Sequence, residues 1–242
     1  SLGLFFGYKT DGVFQSWDEI NACEALNPDM PYQQKFSYDK LSPGDIKLLD
    51  LSGDGYVNLK TNNYEDMTVL GSSLPDFTGG MSTRFTWKWF TLSAQASFSY
   101  GNMKSWEAEG SQFTFNPNRP KNLLSLALNR WTPENPTNKY PKIKLNATSY
   151  GMTDFWLHDA SYLKIQNISL TYRMPSNWLN KIGFLNRLEL FASVNNVYTF
   201  TDYPGPNPES YDASNRIAGA AIDYTTYPQT RTYNFGIKLS IK

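Results

Sequence analysis

The chain has 242 residues, 22 basic and 22 acidic side chains and no net charge, which excludes nucleic acid, whose phosphates call for a clustered basic surface. Mean hydropathy is −0.50 and no run approaches about eighteen apolar residues, so no helix can cross a membrane. A β-barrel can be this hydrophilic, because half of each strand faces a polar lumen. Cys23 stands alone, so no internal disulfide forms. Residues 1–7 read as mid-domain sequence rather than a signal peptide.

Residues 1–75 read as a loop region. Within it, Asp50, Ser52 and Asp54 stand at alternate positions, followed by Gly55, Tyr56 and Asn58. That order matches the first half of a calcium loop: hard oxygens at positions one, three and five, a glycine for the sharp turn, then the Tyr56 carbonyl. The twelfth position holds Thr61 in place of a bidentate glutamate, and Asp66 or Glu65 could serve instead. The other reading is a turn whose carboxylates cap backbone amides.

Residues 76–242 carry the strands. In 76–88, Phe77, Met81, Phe85 and Trp87 share one face, and Thr78, Ser82, Arg84 and Thr86 share the other. In 91–101, Leu92, Ala94, Ala96, Phe98 and Tyr100 alternate with polar residues, and the short gap predicts a tight hairpin around 88–90. A long connection follows, with a helix predicted over 121–131 from Pro120 at its start and the stripe Leu123, Leu124, Ala127, Leu128 and Trp131. In 161–173 the alternation slips between Ile165 and Ile168, which predicts a bulge near Gln166–Asn167. In 187–201, Leu188, Leu190, Ala192, Val194, Tyr198 and Phe200 line one face; in 232–242, Tyr233, Phe235, Ile237, Leu239 and Ile241 do.

These strands have the length that oblique passage through a bilayer needs, about 9–11 residues, where soluble strands are nearer half that. Shorter and longer connections alternate, and aromatics gather at the two predicted interfaces: Trp87, Trp89, Phe90, Tyr172 and Trp178 at one, Phe77, Tyr100, Tyr198, Phe200 and Tyr233 at the other. The reading is all-β: an antiparallel transmembrane β-barrel segment of about five spanning strands, with long extracellular loops and one short loop helix. Five strands cannot close a barrel, so the others are expected N-terminal to Ser1.

Catalysis finds little support. His158, the only histidine, neighbours Asp159, but adjacent strand residues point to opposite faces. There is no nucleophile elbow, phosphate loop or histidine pair.

The segments GYKTDGVFQS (7–16), PGDIKLLDLSGDG (43–55), LPDFTGGM (74–81), RWTPENP (130–136) and HDASYLKIQNISLTYRMP (158–175) resemble, in order, the C-terminal part of the SusC/RagA family of TonB-dependent outer-membrane transporters. So do 188–200 and the ending YPQTRTYNFGIKLSI. The resemblance implies a 22-stranded barrel holding an N-terminal plug, with this chain supplying roughly its last quarter. It implies TonB-driven import of oligosaccharides or peptides, and a SusD-like surface lipoprotein as lid. Asn234, Gly236, Leu239 and Ile241 resemble the signal read by the barrel assembly machinery, although the chain ends on Ile241–Lys242 instead of an aromatic, and Trp89 stands where glycine is usual. In this frame Trp106, Trp131, Tyr140, Trp156, Tyr203 and Tyr211 either stack on sugars and face the lid, or pack the loops together. Two readings compete with import: a soluble, secreted carbohydrate-binding β-domain with a calcium loop, and a passive porin-like channel.

Overall fold

The computed structural model describes residues 3–22, 41–53, 57, 64–115, 117, 121–145, 153–210, 222–224 and 227–241. The chain divides into two compact units: 1–74 with 103–158 and 210–225, and 75–102 with 159–209 and 226–242.

The second unit is a five-stranded antiparallel sheet: β1 (Phe77–Trp87), β2 (Phe90–Tyr100), β3 (Tyr162–Arg173), β4 (Leu185–Phe200) and β5 (Thr232–Ile241), each paired with its neighbours in chain order. Register carries the local alternation across the whole sheet. Leu92 pairs with Leu170, Leu170 with Ala192 and Ala192 with Phe235, so the apolar rows of neighbouring strands merge into one face. Among the described residues no second sheet or helical layer covers that face: Met81 is 70% exposed and Phe235 79%. In water such a contiguous patch would be far larger than single-chain soluble proteins carry. Facing hydrocarbon, it is the surface a transmembrane wall requires.

Aromatic contacts mark both ends of this face. Phe77 stacks on Tyr100 at 5.0 Å and Tyr198 meets Phe200 edge-on at 4.7 Å. At the other end Phe90 lies 5.0 Å from Tyr172.

The expected hairpin is a two-residue loop, Lys88–Trp89, closed by the Trp87–Phe90 pair. Lys88 takes the left-handed conformation at φ 52° and carries its amine 5.0 Å from the Trp87 ring. Trp89 therefore needs no glycine. The bulge falls where the slipped alternation put it: against β2, Gln166 is an extra residue of β3, whereas against β4 the longer side is β4, with Asn196 and Val197 between the paired Asn195 and Tyr198. Leu163 and Ile165 thereby return to the face of Ile168, Leu170 and Tyr172.

Two local expectations are corrected. The helix over 121–131 is only a 3-10 turn, Ser125–Asn129. Leu124 and Arg130 are extended at either side, and the Leu124 amide is drawn off to Gln112 Oε1 at 2.8 Å. Leu128 is 76% exposed, so the apolar stripe buries too little to hold a short helix. Conversely, a helix absent from the sequence reading, α1 (Ser176–Ile182), joins β3 to β4, with Pro175 before it and Gly183 at φ 83° ending it.

The first unit is built from short pieces. Leu4–Tyr8 pairs with Met67–Ser72, Thr10–Val13 with Ile46–Leu48, and Met103–Trp106 lies between Leu157–Asp159 and Ile222–Asp223. Its core gathers Ile46, Phe113, Tyr140 and Trp156.

Candidate functional site

The polar face of the five strands is the first surface available for function. Cross-strand rows read Ser82, Gln95, Asn167, Asn195, Thr232, then Arg84, Ser93, Ser169, Ser193, Asn234. Short neutral hydroxyls and amides dominate, a lining that offers hydrogen bonds without strong fixed charge. Among the described residues, charge enters this face at Arg84 and at two clusters. The Lys164 amine donates to Glu209 and Gln229. At the Lys88–Trp89 end, Glu189 accepts from Arg173 Nε at 2.7 Å and Arg187 Nη2 at 2.6 Å, with Lys238 opposite it in register.

Of the assembly-signal residues, Asn234 Nδ2 donates to Ser193 Oγ at 3.4 Å, and Leu239 and Ile241 belong to the apolar face. Gly236 lies under the ring of Phe191: a Cβ there would stand 2.3 Å from Phe191 Cζ.

The loop unit holds most of the remaining expected residues. Trp131, Tyr140 and Trp156 are buried. Phe113 stacks on Tyr140 at 5.2 Å and on Trp156 at 5.4 Å. Trp131 donates through Nε1 to Gln15 Oε1 at 3.0 Å, and its backbone amide donates to the Tyr140 carbonyl. These rings spend their faces on packing, which leaves none open to a sugar. Trp106 is half-buried at the end of its short strand. In the wall unit, Tyr203 is buried with its ring over Gly205. Tyr211 lies outside the described residues.

The PGD turn gains a physical role. Gly44 is left-handed at φ 93°, and a Cβ there would meet Trp131 Cε3 at 2.6 Å. Asp45 is buried and bound by Lys144 at 2.6 Å and Lys142 at 3.5 Å, with the Ser42 amide donating to it.

His158 pairs with Glu109, not Asp159. Its Nε2 lies 2.5 Å from the buried Glu109 Oε2, and Glu109 also meets the Tyr140 hydroxyl. Burial, reinforced by Glu109, pushes the Tyr140 phenol above its ordinary value. The sequence gives no sign of this cluster, because its members come from three separate segments.

Around the calcium-like motif, Asp50 Oδ1 accepts from the Gly53 amide at 2.8 Å and from Ser52 Oγ at 3.0 Å. Asp66 Oδ1 accepts from the amides of Leu51 and Ser52, both at 3.2 Å. Asp66 is fully buried; burial first, and the Asp66 charge second, raise the Tyr8 phenol above its ordinary value. Asp54, Tyr56 and Asn58 lie outside the described residues. Among the described residues no group of three acidic, histidine or cysteine ligands converges.

No protein-family model matches the chain. It is 30% identical to TonB-dependent receptor P39 of Formosa agariphila over 271 aligned positions, covering 99% of this chain and 25% of that protein. Against TonB-dependent receptor SusC of Bacteroides thetaiotaomicron the identity is 22%, covering 89% of this chain and 19% of SusC. Among solved structures, the RagAB peptide transporter superposes with a TM-score of 0.67 at 21% identity, over 98% of this chain and 22% of that one. The chain thus spans between about a fifth and a quarter of the length of these relatives. The two-faced strands, the lipid-facing row and these likenesses together make the chain a segment of an outer-membrane β-barrel, similar to the TonB-dependent receptors of the SusC/RagA family.

Proposed function

We propose that the chain is part of an importer: a stretch of barrel wall and surface loops through which an oligosaccharide or peptide enters across the outer membrane, driven by TonB. The observation that carries this reading is the continuity of five strands, oily on one face and polar on the other. A soluble carbohydrate-binding domain would cover those oily rows. Relatives named as TonB-dependent receptors favour energised import over a passive channel, and binding and passage over catalysis. The solved RagAB relative is described as a peptide importer, so peptides stand beside glycans as cargo.

In this reading the Ser, Thr, Asn and Gln rows let cargo hydroxyls or amides exchange one weak hydrogen bond for another without a deep trap. The buried rings of the loop unit stiffen the loops. Leu123, Leu124 and Leu128, all exposed, offer a surface lipoprotein an apolar footing. Calcium belongs to the same proposal on the spacing of Asp50, Ser52 and Asp54 alone; the amides of the 51–53 turn that Asp50 and Asp66 cap fit the competing reading of a capped turn.

The test is uptake by cells carrying the intact receptor and its lipoprotein, with labelled oligosaccharides and peptides. Import that needs TonB is the expected result. Uptake that continues at the same rate without TonB would replace the proposal with a passive channel. For calcium, the receptor's thermal midpoint should rise when the ion is added after chelation, and an unchanged midpoint would remove it.

A further inference from the structure

We propose that α1 and the residues after it form a membrane-interface anchor, lying in the phospholipid headgroup layer at the Lys88–Trp89 end of the wall. This goes beyond import and rests only on the wall facing lipid.

Joining two adjacent antiparallel strands needs very little chain. Lys88 and Trp89 do it between β1 and β2. Between β3 and β4 the chain spends residues 174–184 at the same end of the sheet and folds them into a helix. The insertion is tied to the sheet where it begins and closed on itself where the helix ends. Arg173 N donates to Trp89 O at 2.8 Å, Met174 N to Leu188 O at 2.9 Å, and Gly183 N to Leu179 O at 3.2 Å. Leu179 is buried, which fixes one side of the helix against protein.

What remains outside is oily. Trp178 is 59% exposed, Ile182 41% and Phe184 61%. Trp178 and Ile182 are four residues apart and share a face, while Asn177, Asn180 and Lys181 make the exposed polar remainder. A short helix with tryptophan and aliphatic groups on one side and lysine and asparagines on the other is suited to the boundary between acyl chains and headgroups. The patch is also continuous with an existing lipid surface. Trp87, Phe90 and Tyr172 close the apolar face at this same end, and Trp89 on the adjoining turn is exposed. The occupant we assign is therefore glycerophospholipid, with the rings at headgroup depth and Lys181 near the phosphates.

The experiment uses the full-length receptor in phosphatidylethanolamine–phosphatidylglycerol vesicles, with Cys23 replaced by serine. Nitroxide labels are placed singly at Ile182→Cys, Phe184→Cys, Asn180→Cys and Leu170→Cys. Collision with oxygen, which concentrates in lipid, is compared with collision with a water-soluble nickel chelate. The expected result is an oxygen-to-nickel ratio at least several-fold higher at 182 and 184 than at 180, approaching that at 170. Two results overturn the anchor while 170 stays in lipid: nickel access at 182 and 184 equal to that at 180, or both sites shielded from both reagents, which would mean protein covers them. Nickel access at 170 would instead sink the lipid-facing wall, and the anchor with it.

Discussion

Phe191 of β4 lies across the bare backbone of Gly236, its paired residue on β5. The ring covers the gap a glycine leaves in a strand, and Lys238 places its amine 5.6 Å from the centre of the same ring. The glycine of the assembly-like signal is thus also a packing requirement of the polar face. Gly236→Ala should destabilise the refolded receptor by about 1–3 kcal/mol, the usual cost of overpacking. Adding Phe191→Leu should restore much of the loss. Urea unfolding in vesicles measures both; a silent Gly236→Ala would mean the ring moves aside freely.

Leu170 and Ser169 are one residue apart and face opposite sides of the wall. Leu170 stands between Leu92 and Ala192 in the middle of the apolar face. Arginine at 170 should cost about 2–4 kcal/mol, as a cation does near the bilayer midplane. Arginine at 169, among Ser93 and Ser193, should cost well under 1 kcal/mol, since the polar face tolerates it. The same urea titration reads the difference, and equal effects would contradict the orientation.

Gly44 combines a left-handed backbone with a close approach to Trp131 and to Lys142 Cβ, 2.9 Å from an added Cβ. Gly44→Ala should cost the loop unit about 1–3 kcal/mol, since it must either distort the backbone or displace the tryptophan. Faster proteolysis of the loops, with the wall still resistant to heat and detergent, is the expected pattern.

Tyr140 supplies a pH dependence. Burial first, and Glu109 second, raise its phenol above the unfolded value of about 10. A raised folded value means the contribution to stability is complete below pH about 10 and is lost as pH climbs through the folded pKa. Tyr140→Phe should flatten this alkaline limb of the loop unit's unfolding. Glu109→Gln should bring the phenol part of the way down, as followed by absorbance near 295 nm. A Tyr140 titration unaffected by Glu109→Gln would break the proposed coupling.

The wall was legible because alternation is local: each apolar residue from Phe77 to Ile241 declares its face by position alone, and even the bulge at Gln166 left a phase slip in the string. The helix at 121–131 misled because its leucine stripe satisfies the helical period without a surface to bury it, and tertiary hydrogen bonding to Gln112 took the first amide. The helix at 176–182 leaves no helical signal in the sequence because its few apolar positions span too little chain to show a period.

By itself, the order of residues determined a membrane wall with two unlike faces, since that depends only on a two-residue repeat and on span length. The loop unit was decided by tertiary structure alone. Gln15 meets Trp131, Glu109 meets His158 and Asp45 meets Lys144 through contacts between distant segments. No periodicity encodes such meetings, because burying a charge or a ring there depends on which distant partner the folded chain brings alongside.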